Sequence, residues 1–175
     1  RISSYDDYFK KYANILGWDW RWLAAIAYKE SKFDPTAVSW AGACGLMQLM
    51  PTTAISLGLT EEEFHDPELN IKASAQYLNK MQNLFPNIED EREKINFILA
   101  SYNAGPGHVR DAMALAEKYG DNPHVWYGSV EKWLLALQES KYYNDKVCKH
   151  GFFRGRYTVR YVQNVFKKYE EYLEN

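Results

Sequence analysis

The sequence lacks several features that would assign it to common classes of protein. No run of about eighteen apolar residues occurs among its 175 residues, so no transmembrane helix is expected. Lys and Arg total 21 against 23 Asp and Glu, and the two signs are interspersed. This pattern gives neither a basic stripe for nucleic acid nor a polybasic membrane patch. No signal peptide is visible, and the chain begins at Arg1 without a Met, so we expect a processed or excised segment.

Cysteine and histidine are also scarce. The two cysteines, Cys44 and Cys148, are far apart in sequence and lack the spacing of metal ligands. Two possibilities remain: the cysteines form a disulfide in an oxidising compartment, or both are buried thiols. The four histidines are scattered, with no HExxH or CxxC motif. We therefore predict no metal site and no cofactor.

Aromatic residues, by contrast, are abundant: 14 Tyr, 6 Trp and 8 Phe. One interpretation is a helical core rich in large side chains. The other is a groove lined with flat amphipathic rings, which suit the apolar C–H faces and polar rims of sugars.

Apolar residues recur at helical spacing along most of the chain, so we predict an all-α fold in one globular domain spanning residues 1–175. Ser3 or Ser4 is the expected cap of a first helix at 3–17, Asp19 of the second and Asp66 of a later one. Residues 128–140 are expected to form one helix. Glycines break the pattern between 39 and 51, which predicts a loop, and residues 146–157 are either a loop or a short extended stretch.

Glu30 occupies a position where a charged carboxylate is expected to cost free energy. With successive residues rotated by about 100° around a helix, Leu23, Ile26, Ala27 and Glu30 form one stripe, and the apolar part of that stripe should face the core. Desolvation and the negative end of the helix dipole should both raise the pKa of Glu30, which would suit a general acid. The competing interpretation is a solvated carboxylate in the last turn.

Polar residues near glycines surround this motif. The segment after Glu30 carries Ser39 and Gln48 among glycines that let a ligand approach the backbone closely. Later, Tyr102 and Asn103 end an apolar helix before another glycine-rich turn. Turn formation and helix capping are the alternative roles of these residues.

Three long segments carry a family resemblance: ESKFDPTAVSWAGACGLMQLMPTTA, DPELNIKASAQYL and ASYNAGPGHVRDA. They resemble the successive motifs of the lytic transglycosylase family with the goose-type-lysozyme-like fold. The later segments GHVRDAMALAEKYG, VWYGSVEKWL and FFRGRYTVRYVQNVFKKY resemble a membrane-bound branch of that family. The match runs from about residue 19 to the end, and it implies a lysozyme-like helical core with a substrate cleft, on which the first helix would pack.

The resemblance also implies a function. Family members cleave the β-1,4 bond between N-acetylmuramic acid and N-acetylglucosamine in peptidoglycan, leaving a 1,6-anhydro sugar. Their only catalytic carboxylate corresponds to Glu30. Their substrate contacts correspond to Ser39, Gln48, Met50, Tyr102 and Asn103. The expected partner is a peptidoglycan glycan strand, met by a monomer in the periplasm, with an outer-membrane anchor elsewhere in the full-length protein and no membrane contact by this domain.

One position departs from the family pattern. The family usually has a Glu four residues before the Tyr161–Val162 pair, and Tyr157 stands there in this chain. Three alternatives accompany the main hypothesis: a lysozyme-type hydrolase that uses water, a catalytically silent glycan-binding domain, and a structural or partner-binding helical domain. The Tyr157 departure bears on the second of these.

Overall fold

The computed structural model describes residues 1–174, and it confirms the predicted all-α class. Within those residues there is no β-strand, only isolated bridges that join Val38 to Cys44 and Cys44 to Leu49. The helices of the described chain are α1 Asp6–Leu16, α2 Arg21–Ser31, α3 Pro51–Ser56, α4 Pro67–Gln82, α5 Glu91–Ala104, α6 Pro106–Lys118, α7 Glu131–Ala136, α8 Ser140–Tyr143 and α9 Arg156–Leu173.

The starts of the first two helices differ from the prediction. Helix α1 begins at Asp6 after Tyr5, so neither Ser3 nor Ser4 caps it. The Asp6 carboxylate instead accepts hydrogen bonds from the backbone N–H groups of Ile2 and Ser3, both at 2.8 Å, and so folds the preceding residues back onto the helix. Asp6 acts here from inside the first turn of α1, where its negative charge also interacts favourably with the positive end of the helix dipole.

Helix α2 begins at Arg21, and its N-cap is Trp20 rather than Asp19. The Asp19 carboxylate accepts from the Arg21 backbone N–H at 3.0 Å and pairs with the Arg21 guanidinium at 2.7 Å. Asp66 does cap α4 as predicted, since its carboxylate accepts from the Leu69 backbone N–H at 2.9 Å. The sequence pattern thus located all three helices but assigned the wrong N-cap residue to α1 and α2.

The single helix predicted over 128–140 is wrong. The chain forms a kinked turn at Trp126–Val130, then the short helices α7 and α8. Tyr127 is extended (ψ 127°) and Gly128 has a φ of 71°, a left-handed conformation that glycine adopts at little cost, so α7 begins only at Glu131. Glu139 is extended (ψ 127°) and separates α7 from α8.

Backbone contacts divide the chain into two compact units. The first unit consists of Arg1–Lys80 together with the chain from Asn164 on, and the second consists of Met81–Gln163. The prediction of one domain over 1–175 stays a prediction, and each unit is described by itself below.

In the first unit, α1 packs on α2 and large side chains fill the core. Trp22 stacks on Tyr169 of α9 with ring centroids 3.7 Å apart and is met edge-on by Phe166. The largest fully buried side chains of this core are Phe9, Leu23, Ile26, Leu46, Met47, Ile71 and Leu78.

In the second unit, α6 packs against both α5 and α7. Its core side chains include Ile95, Phe97, Ile98, Leu99, Leu115, Val130 and Leu134. Phe97 is flanked by Phe85 and by Trp126.

Aromatic residues therefore serve in both cores, as the first interpretation of their abundance predicts. Others lie on the surface: Trp40 is fully exposed, and Tyr127 and Tyr157 are 82% and 71% exposed. Cys44 is buried and Cys148 is half-buried, and each is a free thiol. In the described part of the chain, no helix has the length and apolar character needed to cross a membrane.

Candidate active site

Glu30 lies in the last turn of α2, directly beyond the buried part of that helix. The six residues from Trp22 to Ala27 are all buried. Glu30 itself is partly buried, between that enclosed stretch and the exposed Lys32. The structure thus places Glu30 at the margin of the core, as its position in the sequence predicts. The expectation that its pKa is raised stays a prediction.

The chain turns sharply after Glu30. Lys32 and Phe33 both have a positive φ, 54° and 64°, which non-glycine residues adopt only at an energetic cost. The Ser31 hydroxyl lies 2.9 Å from the carbonyl of Leu46 and donates to it, tying the end of α2 to the glycine-rich loop. Phe33 packs against the rings of Phe9 and Tyr28. These contacts hold the turn and therefore the direction of the Glu30 backbone.

Asn70 of α4, which is 1% exposed, fixes the loop that carries Gln48. Its carboxamide oxygen accepts from the Met47 N–H at 2.9 Å, and its amide donates to the carbonyls of Cys44 and Phe64, each at 3.0 Å. Gly45 passes directly over this side chain with φ 83°, and a Cβ there would lie 2.5 Å from Asn70 Nδ2. Only glycine fits so close a passage.

The side chain of Gln48 hydrogen-bonds to its own loop and so fixes the position of the residue. It has a φ of 54°, and its amide Nε2 donates to the carbonyls of Gly45 at 2.9 Å and Ala37 at 3.1 Å. Sequence reasoning assigned Gln48 both a donor and an acceptor for a ligand. In the structure its N–H groups are used within the loop, so its carboxamide oxygen, an acceptor, is what it can present.

The other two candidates of the first unit are differently placed. Ser39 accepts from the Ala43 N–H at 3.0 Å, so its hydroxyl proton is available to a ligand. Met50 precedes α3 and is 43% exposed. Hydrogen bonds from Ser39 to Ala43 and from Gly45 to Ala37 join Ser39 and Gln48 in one loop, which Ser31 ties to the end of α2.

Tyr102 and Asn103 occupy the last turn of α5 in the second unit, where Gly105 ends the helix with φ 86°. Tyr102 is partly buried and Asn103 is exposed. The buried Thr158 of α9 donates from its hydroxyl to the Asn103 carboxamide oxygen at 2.8 Å. That bond orients the Asn103 amide with its N–H groups available as donors.

Sequence reasoning missed Ser31, Asn70 and Thr158. Their partners lie 15, 23 and 55 residues away along the chain, so no local pattern could reveal them. The only local signal is that Ser31 directly follows Glu30. Asn70 and Thr158 are buried and Ser31 is partly buried, and each positions a candidate residue or its loop.

Comparison with known proteins places this chain in a family. The model of the transglycosylase SLT domain matches residues 7–125. The chain therefore belongs to the transglycosylase SLT domain family, as the resemblance of its motifs predicts.

Curated relatives include the membrane-bound lytic murein transglycosylase F of Desulfosudis oleivorans, 41% identical over 97% of this chain and 36% of the relative. The protein of the same name from Shewanella loihica is 42% identical over 97% of this chain and 34% of its own. The chain thus spans about a third of the length of the curated relatives it matches. These names agree with the membrane-bound branch indicated by the later motifs.

Solved structures show the same fold. An inactive mutant of the lytic transglycosylase Slt from Pseudomonas aeruginosa superposes with a TM-score of 0.66 at 27% identity, over 98% of this chain and 24% of that one. The 70 kDa soluble lytic transglycosylase of Escherichia coli gives 0.62 at 28% identity, again over 98% and 24%.

Proposed function

We propose that this domain is a peptidoglycan lytic transglycosylase that cleaves the N-acetylmuramic acid–β-1,4–N-acetylglucosamine bond and leaves a 1,6-anhydro end. Membership of the SLT family and relatives named lytic murein transglycosylase support the substrate and reaction class. The observation that carries the assignment is Glu30, a partly buried carboxylate at the end of an enclosed helix, beside a loop held by Ser31 and Asn70.

Glu30 would act first as acid and then as base. Protonated Glu30 donates to the glycosidic oxygen, and the N-acetyl carbonyl of the sugar supports the positive charge that develops at C1. The carboxylate then removes the proton of the C6 hydroxyl, which attacks C1 and closes the anhydro ring. The substrate supplies both nucleophiles, so the second carboxylate of most glycosidases is not required, nor is a metal or cofactor.

The remaining candidates would position the sugar. Asn103 offers amide donors, whose direction Thr158 fixes, to the N-acetyl carbonyl, and Tyr102 would stabilise charge near it. Ser39 would donate to Glu30 or to the sugar, and Gln48 would accept from a sugar hydroxyl or N–H. Met50 would supply an exposed apolar contact.

A solved relative supports the dependence on one carboxylate. The Pseudomonas aeruginosa Slt structure is described as an inactive mutant in which a glutamine replaces a glutamate. We extend that dependence to this chain as part of the proposal. The proposed location is the periplasm, on the outer-membrane side in the full-length protein, and the domain is proposed to act as a monomer.

The test is digestion of purified peptidoglycan by Glu30→Gln. Because the amide cannot donate the acid proton, we expect activity to fall by about three orders of magnitude or more while thermal stability stays near that of the unchanged chain. Glu62→Gln, an exposed glutamate in the Glu61–Glu63 turn, is the matched control and should keep full activity. Substantial activity in Glu30→Gln would refute the mechanism.

Product masses separate the alternatives in the same experiment. An anhydro product is lighter by one water than the product of a lysozyme-type hydrolase. A silent glycan-binding domain would release neither product.

A further inference from the structure

Trp40 has the most exposed large apolar side chain among residues 1–174, with its whole indole ring in solvent. Four other tryptophans, Trp18, Trp22, Trp126 and Trp133, are between 2% and 8% exposed and belong to the cores. An indole ring left in water forgoes the stabilisation that its burial would bring. The packing of the fold therefore gives the Trp40 ring no role.

The turn that carries Trp40 is well defined and does not depend on an aromatic residue. The Ser39 N–H donates to the Ala43 carbonyl and the Gly42 N–H donates to the Ser39 carbonyl, both at 2.9 Å. The Ser39 hydroxyl accepts from the Ala43 N–H at 3.0 Å. Serine at the first position and glycine with a φ of 96° at the fourth are residues that such a turn favours. Trp40 occupies the second position, where the turn needs no particular side chain.

This turn belongs to the loop that carries proposed sugar contacts. Trp40 directly follows Ser39, whose hydroxyl proton is available to a ligand. The pairing of Val38 with Cys44 joins the turn to the rest of the loop. Val38 and Met50 also expose apolar side chains in this loop. The loop therefore presents a flat apolar ring in sequence next to a hydrogen-bond donor.

A pyranose ring of a β-1,4-linked glycan has a surface that matches this combination. Its axial C–H bonds form an apolar face, and its hydroxyl and N-acetyl groups lie at the rim. An indole ring against that face removes apolar surface of both partners from water. The hydrogen-bonded turn already fixes the backbone of Trp40, so binding has to immobilise only two side-chain torsions.

We infer that Trp40 stacks on a sugar ring next to the one that Ser39 contacts, and that this stacking sets the affinity of the domain for glycan strands. The inference rests on the proposed function and assigns a further substrate-binding residue to it. The stacked ring lies beside the reacting sugar, so the contact should be equally strong in the ground state and in the transition state. Its loss should therefore raise KM and leave kcat nearly unchanged.

Replacing Trp40 by alanine removes the ring and leaves the turn intact. On solubilised glycan strands we expect KM to rise by about tenfold, the equivalent of about 1.4 kcal/mol, at a nearly unchanged kcat. Trp40→Tyr keeps a flat ring and should recover most of the affinity, whereas Trp40→Leu, which is apolar but not flat, should not. All three variants should keep Tm within about 2 °C, because the ring is outside the core.

Tyr127→Ala is the matched control, since Tyr127 is an exposed aromatic residue of the second unit that lies outside this loop. It should keep the KM of the unchanged chain. The rise in KM of Trp40→Ala should be equally large on strands freed of their stem peptides by an amidase. An unchanged KM in Trp40→Ala, or a rise that disappears on peptide-free strands, would overturn the inference.

Oxidation by limiting N-bromosuccinimide tests the contact without turnover. The reagent oxidises accessible indole rings, and peptide mass spectrometry identifies which tryptophan has reacted. Peptide-free strands should protect Trp40 in Glu30→Gln, which is expected to bind them without cleavage. At a strand concentration of about ten times Kd, oxidation of Trp40 should slow by about tenfold, because about a tenth of the chains stay unbound.

Maltohexaose, an α-1,4-linked glucan, is the control ligand and should protect Trp40 little at the same concentration. Equal protection by both ligands would indicate unspecific shielding, and no protection by the strands would show that the ring stays in solvent; either result would overturn the inference. If no substrate yields anhydro products, the proposed function fails, whereas the protection experiment still decides whether Trp40 contacts the glycan.

Discussion

Replacing Asn70 by leucine tests whether one buried amide holds the loop that carries Gln48. Leucine has a similar volume, so the change removes hydrogen bonds without opening a large cavity. Asn70 accepts from Met47 and donates to Cys44 and Phe64. The Cys44 carbonyl also accepts from the Leu49 N–H and keeps that bond, but the Met47 N–H is left buried without this acceptor.

The expected loss follows from these contacts. An orphaned buried N–H costs about 1–3 kcal/mol, and the lost bonds to the two carbonyls cost about 1 kcal/mol together or somewhat more. We therefore expect the free energy of unfolding to fall by about 3 kcal/mol, which for a chain of this size lowers Tm by about 10 °C. Because Gly45 and Gln48 would lose their support, kcat should fall at temperatures where the protein is still folded.

Thermal unfolding followed by circular dichroism measures the stability, and anhydro-product release measures kcat. Asn164→Leu, on the exposed surface of α9, is the matched control and should change the free energy of unfolding by less than about 0.5 kcal/mol. Gly45→Ala provides an independent check, since its Cβ would press on Asn70 Nδ2. If Asn70→Leu were as stable and active as the control, the assignment of Asn70 as the support of this loop would be refuted.

Two further predictions concern titratable groups. The hydrogen bond from Arg21, aided by the Tyr169 hydroxyl, lowers the pKa of Asp19 against the opposing effect of burial. Ionised Asp19 therefore stabilises the fold at pH values above the ordinary aspartate pKa of about 3.9. This contribution is lost as the pH falls through the lowered pKa of Asp19. Asp19→Asn should therefore be less stable than the unchanged chain by about 1 kcal/mol in urea unfolding at pH 7, with the difference shrinking toward pH 2; a difference independent of pH would contradict this. Burial raises the pKa of Cys148 to about 11, so its alkylation by iodoacetamide at pH 8 should be about a hundredfold slower than that of an ordinary thiol, and mass spectrometry showing a rate within tenfold would contradict it.

Local sequence patterns located most of the fold. Helices α4, α5 and α9 follow from apolar spacing, and the ends of α3 and α5 from Gly58 and Gly105. The errors occurred where a local interaction other than the predicted one forms in the structure. Asp6 accepts from backbone N–H groups that precede its helix, and Asp19 binds the Arg21 N–H from two residues ahead of α2. The extended Glu139 between α7 and α8 divides the predicted helix over 128–140.

The candidate residues could be selected from sequence, but the contacts that orient them could not. Glu30 and Asn103 stood out by position and by resemblance. The partners that hold them and their loop depend on tertiary structure: Asn70 reaches a loop 23 residues away, and Thr158 reaches Asn103 across 55 residues. The use of the Gln48 amide within its own loop depends on a φ of 54°, which the residue type alone does not indicate.

The enclosure of α2 has a consequence for how this protein can vary. Ala24, Ala25 and Ala27 have no exposed surface, so neighbouring segments pack closely around this part of the helix and leave it little room to tilt or rotate. The carboxyl group at its end therefore has a fixed origin, and its reach is set by side-chain torsions alone. Under the proposed function, adaptation to differently cross-linked cell walls would have to come from exchangeable surface side chains, while the buried residues that orient the acid stay unchanged.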